Sequence, residues 1–101
     1  MTFRFRAAAV ILLATSIAGT AFAQARGADA FNAKCARCHG ADGLATTPVA
    51  KSMKIPSFKA PEMMKWSDAQ FIEFTKKTYK NNGPTDAQIN DIVAYIRKLQ
   101  K

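Results

Sequence analysis

Apolar positions along the 101-residue chain fall into three zones with different spacing. Between Ala7 and Ala18 they run almost unbroken. From Ser67 onward they recur with helical spacing. Phe71, Phe74, Thr75 and Thr78 stand at i, i+3, i+4 and i+7, and a second stripe comprises Ile89, Ile92, Val93, Ile96 and Leu99. Each stripe follows a capping box, Ser67-Asp68-Ala69-Gln70 and Thr85-Asp86-Ala87-Gln88, in which a hydroxyl and an amide side chain satisfy the first free N–H groups. The last stripe begins just after Pro84 and ends among Arg97, Lys98 and Lys101, where the helix dipole favours cations. A further helix is predicted from about Ala28 to Cys35, rich in alanine, with Phe31 as its one large apolar residue. Between it and Ser67, Gly40 to Trp66 holds three of the four prolines and shows no period. A loop of that length in a small domain needs a functional reason. No strand-like alternation precedes Cys35, and no repeat is present, so the pattern predicts an all-α fold of three main helices.

The first apolar zone has a different origin. Arg4 and Arg6 precede it, and Ala21-Phe22-Ala23 reads as a small-residue cleavage site before Gln24. That combination is a secretory signal peptide over residues 1–23, and the run is too short for an easy membrane span. The mature domain is then residues 24–101, a periplasmic chain with no membrane span after the signal is removed. An uncleaved N-terminal anchor is the competing reading. At 78 residues, such a domain is marginal for an unaided core and usually needs a staple.

Charge changes the picture less. Without Arg4 and Arg6 the net +8 becomes +6. Nucleic-acid binding is not expected, because the cations are scattered, the longest run being Lys76-Lys77. A lysine-rich surface that steers acidic redox partners fits better, beside the plainer reading of an ordinary solvated surface. A monomer is expected.

The chemistry is concentrated in Cys35-Ala36-Arg37-Cys38-His39. C-x-x-C-H is the attachment signature of c-type haem. Thiols three residues apart on a helical turn project from one face, where they can add to the two vinyl groups of one haem. The adjacent imidazole of His39 can then take the iron as proximal ligand. One haem c, covalent through Cys35 and Cys38, is therefore the expected cofactor and would be the staple the small core lacks. The chain has only two cysteines and one histidine, which prunes the rivals. A structural zinc site wants a second ligand pair. A thioredoxin-type site wants a βαβ context. A Cys35–Cys38 disulfide would close too short a loop to stabilise much.

With these residues in view, the mature chain resembles a small bacterial class I cytochrome c from Gly27 to Leu99. The resemblance implies the class I cytochrome c fold around one covalent haem. In that family a glycine and an aromatic one turn apart on the first helix pack against the last helix. Gly27 and Phe31 match this pair, and Ile92 and Tyr95 match their partners. His39-Gly40-Ala41-Asp42-Gly43 resembles the loop after the haem motif. Pro48 falls near the family's proline whose carbonyl accepts a hydrogen bond from the proximal imidazole.

One departure stands out. Relatives place a distal methionine between the last two helices, whereas this chain reads Thr78-Tyr79-Lys80-Asn81-Asn82-Gly83-Pro84 there. The expectation is an iron without a methionine ligand in that place. Met63, Met64, Lys77, Tyr79, Lys80, water or an open site all stand as alternatives. Met53, Met63 and Met64 read primarily as gap-fillers of an apolar pocket. Trp66 reads either as a propionate donor or as a core aromatic. The resulting expectation is a non-enzymatic, extracytoplasmic carrier of single electrons between redox partner proteins. The alternative is a haem protein that binds a small gaseous ligand, as a sensor or a weak peroxidase.

Overall fold

The computed structural model describes Phe22 and residues 24–101. Apart from Phe22, the expected signal peptide lies outside the described residues. The chain forms α1 (24–34), α2 (Ala36–His39), α3 (Pro48–Met53), α4 (Pro61–Met64), α5 (Asp68–Thr78) and α6 (Asp86–Leu99), with no strand among the described residues. α1, α5 and α6 are the three main helices. Both capping boxes form: Ser67 Oγ accepts from Gln70 N at 3.1 Å while Gln70 Oε1 accepts from Ser67 N at 2.7 Å. Thr85 and Gln88 repeat the arrangement at 3.2 and 2.9 Å.

Two boundaries differ from the sequence reading. α1 is already helical at residue 24, ahead of the expected start at Ala28. Gly27 therefore lies inside the helix, where its intrinsic penalty is offset by close helix contact. The segment from Gly40 to Trp66 contains two short helices, each opening on a proline at its first turn. Proline suits that position because its missing N–H would find no helical partner there. Thr47 caps α3, its side chain accepting from Ala50 N at 3.1 Å.

The core is a single cluster centred on Phe31, which is 0% exposed, and Ile92, joined by Ala30, Cys35, Phe58, Met63, Phe71, Ile89, Val93 and Ile96. Burying each large aliphatic or aromatic side chain contributes about 1.5–3 kcal/mol. α1 meets α6 where the sequence placed the contact. A Cβ at Gly27 would collide with the Asp91 carbonyl and stand 3.2 Å from Tyr95 Cβ. The Phe31 and Tyr95 rings lie 5.3 Å apart, and Arg26 pairs with Asp91 at 3.3 Å.

α5 packs on α6 with a narrower face than its stripe predicted. Phe71 is buried and Ile72 packs against the core, but Phe74 is 51% exposed, with only the edge of Trp66 against its ring at 5.6 Å. The methionines also sort differently from their common reading as fillers. Met63 is in the core, whereas Met64 is 47% exposed and Met53 67% exposed. Both exposed residues sit on one-turn or two-turn helices too short to bury a second face. No helix among the described residues is long and apolar enough to cross a membrane.

Candidate haem attachment site

Helix α1 breaks at Cys35 and the chain turns tightly into α2. Cys35 N donates to Phe31 O at 2.7 Å, and Cys35 O accepts from both Cys38 N (3.2 Å) and His39 N (3.0 Å). These backbone bonds hold the two cysteines and the histidine in one rigid turn. The thiols are unpaired, Cys35 buried and Cys38 half-buried. Burial, and secondarily the neighbouring Cys38, push the Cys35 thiol up to about 11, so it is protonated at neutral pH. A protonated thiol is inert towards disulfide exchange and retains the hydrogen that addition to a vinyl group requires.

His39 is held from two sides. Its ring stacks on Phe58 with centroids 4.7 Å apart and planes 21° from parallel, and Phe31 lies 6.5 Å away. Burial lowers its pKa below the ordinary 6.5, keeping the imidazole neutral, the form that ligates a metal. Its Nδ1 is buried with no hydrogen-bond partner. The family resemblance implied a proline carbonyl near Pro48 as that partner, and no hydrogen bond joins the two here. Pro48 opens α3, where its carbonyl belongs to the helix ladder. Thr47 beside it binds back instead, its hydroxyl donating to the Cys38 carbonyl. Thr47 thus links the cysteine turn to α3.

The residues present fit a covalent haem. Two free thiols, one buried and one half-buried, beside a neutral imidazole with an unsatisfied nitrogen and the rings of Phe31 and Phe58, suit two thioether bonds and one axial bond. Cys35 and Cys38 would hold the porphyrin and His39 the iron. Among the described residues no group of three or more His, Cys, Asp or Glu side chains could hold a metal ion.

The candidates for the sixth position are dispersed. Met63 is committed to the core, and Met64 is exposed on α4. Lys77 pairs with Glu73 at 3.0 Å. Lys80 lines an open groove with Glu73, Lys76 and Lys77. Tyr79 ends α5 on the surface, and partial burial, then neighbouring Cys35 and Cys38, push its phenol up from the ordinary value. Trp66 is a core-edge aromatic, its ring 5.2 Å from Phe71 and its carbonyl accepting from Arg97.

Sequence reasoning passed over Thr47, Phe58 and Gln100, and read Arg97 only as a cation at the end of the last helix. Thr47-Pro48 is a cap followed by a first-turn proline and could have been read as a helix start. Phe58 had no such signal, because its contact with His39 is tertiary. Arg97 donates to Trp66 O at 2.6 Å, Asp68 Oδ1 at 2.9 Å and Gln100 Oε1 at 2.9 Å, with its guanidinium 5.0 Å from the Phe71 centroid. Gln100 Nε2 donates in turn to Phe58 O at 3.0 Å and to Met63 O at 3.4 Å. The end of α6 thereby fixes the strap that carries Phe58 across His39.

The family model for cytochrome c matches residues 24–100, the whole domain that carries this turn and its supports. No curated protein and no solved structure matches the chain. A helical chain with its first and last main helices crossed at a glycine, a match over all but its first residues and its last, and a backbone-bonded C-x-x-C-H turn lead to one conclusion: the chain belongs to the cytochrome c family, as a small class I c-type cytochrome.

Proposed function

We propose that this haem-based electron carrier works outside the cytoplasm with one haem c, bound through Cys35 and Cys38 and ligated by His39. The observation that carries the reading is the Cys35–His39 turn, which presents both thiols and the neutral imidazole from one backbone-bonded unit. In attachment each S–H adds across a vinyl double bond. Sulfur bonds one carbon, the hydrogen goes to the other, and there is no net oxidation. The bound haem supplies a one-electron couple at the iron. The protein's part is to hold the imidazole neutral and oriented, to keep water from its apolar side, and to present a docking surface. Removal of residues 1–23 on export gives a periplasmic monomer of net +6, suited to acidic redox partners.

The test is to change Cys35 and Cys38 together to Ala in the exported chain. Haem staining on a denaturing gel should disappear, and a band of normal intensity would refute covalent attachment at this pair.

A second reading, a haem protein for a small gaseous ligand, is favoured by one observation: no methionine lies between α5 and α6. Carbon monoxide separates the two. A carrier should exchange electrons rapidly whether or not it binds the gas. Tight, rapid carbon monoxide binding with sluggish electron exchange would replace the carrier reading.

A further inference from the structure

We propose that Asn82-Gly83, in the turn between α5 and α6, is a site of spontaneous covalent modification at which the Asn82 side-chain amide becomes a carboxylate. The reaction involves no group of the haem site.

The step needs only water. Gly83 N attacks the Asn82 side-chain carbonyl carbon, a succinimide ring closes and the side-chain nitrogen leaves as ammonia. Water then opens the ring. Opening at the side-chain carbonyl leaves aspartate, and opening at the backbone carbonyl leaves isoaspartate, with the chain rerouted through the former side chain. One water is consumed, one ammonia is released and nothing is oxidised or reduced. The attacking N–H must be free of a hydrogen bond and uncrowded by a side chain.

Backbone placement singles out this residue. The chain has four asparagines, Asn32, Asn81, Asn82 and Asn90, and all four are exposed, so exposure does not separate them. Asn32 lies in α1 and Asn90 in α6, where the next N–H belongs to the helix ladder. Asn81 is followed by a residue whose side chain crowds the attacking nitrogen. Asn82 alone precedes a glycine, and among the described residues no backbone carbonyl accepts from Gly83 N.

The fold keeps the labile pair together. A Cβ at Gly83 would collide with the Cβ and carbonyl of Tyr79, where α5 ends, so the turn closes only with glycine at this position. The product falls among cations. Asn82 lines a surface groove with Lys77 and Lys80, so the new carboxylate offsets part of the positive field that these lysines present.

The experiment ages the purified, exported chain at neutral and at mildly alkaline pH. It then reads the peptide that trypsin releases between Lys80 and Arg97, which carries Asn81, Asn82 and Asn90. Fragmentation in the mass spectrometer locates the new acid. Asn82 should convert faster than Asn90 by about ten-fold or more, because the N–H beside Asn90 must first break from its helix. The rate should rise with pH, since the attacking nitrogen gives up its proton, and a more acidic form should elute earlier from a cation exchanger. That form should be absent from Asn82→Gln, whose longer side chain closes the ring poorly, and present in Asn81→Gln. The same chain unfolded in guanidinium is the reference. Folded Asn82 converting within about ten-fold of the unfolded rate supports a turn open to attack, and slower conversion overturns the proposal. Acid found at Asn81 or Asn90 as readily as at Asn82 overturns it too. If Asn82→Gln does not accumulate, fragmentation of the wild type and its comparison with the unfolded chain decide.

Discussion

Gly27 acts by having no side chain. The Asp91 carbonyl and Tyr95 Cβ occupy the space a Cβ would need, so α1 and α6 touch backbone to backbone at this residue. Gly27→Leu should force the helices apart, at a cost of about 1–3 kcal/mol, the usual range for overpacking. In a domain of this size each kcal/mol moves the melting temperature by about 4–8 °C. Thermal unfolding of the haem-loaded variant checks this, and an unchanged Tm would mean that the crossing lies elsewhere. Gly27, Phe31 and the Cys35–His39 motif were legible in the sequence because their meaning lies in fixed short spacings. Phe58 was not. Nothing local marks a phenylalanine in a proline-rich stretch as the residue that stacks on His39, since that contact is set by how the strap folds back.

At the level of elements, α6 organises the domain. Its middle crosses α1, its flank packs α5, and its last turn grips the strap through Arg97 and Gln100. Arg97 combines three hydrogen bonds with a ring contact and is only partly exposed. Arg97→Met would keep the stem and lose the donors, and we expect a loss of about 1–3 kcal/mol, in the range for hydrogen bonds from a charged group. Arg97→Lys should recover only part of it, because a point charge cannot fork to three acceptors. Chemical denaturation of the two haem-loaded variants measures this, and equal stability of Lys and Arg at 97 would contradict it. α5 and α6 were readable because each carries its own cap and period. α3 and α4 were not, since helices of six and four residues have too few turns to show a period, and only their leading prolines announce them. The apolar stripe of α5 misled for a related reason. It marks which side chains are apolar but not how wide a face α6 covers, so Phe74 was placed inward and lies outward.

For the molecule as a whole, an excess of Lys and Arg over Asp and Glu on a small surface should make partner encounter sensitive to ionic strength. Electron exchange between the reduced protein and an acidic partner should slow about ten-fold or more between low and high salt, as the screening length shrinks from about 30 Å at 0.01 M to about 3 Å at 1 M. Stopped-flow traces at several salt concentrations provide the check, and a rate indifferent to salt would remove steering from the account. The crossing of α1 with α6 has a consequence in time as well as in space. Arg26 and Asp91 are 65 positions apart in sequence, so the contact that closes the domain joins nearly its two ends. Contacts this distant are entropically costly and form late. A chain emerging N-terminus first exposes Cys35 and Cys38 long before Asp91 and Tyr95 exist to cover α1. The thiols are therefore reachable during an interval that ends when the last helix docks, and the proposed attachment of a bulky porphyrin would fall within that interval.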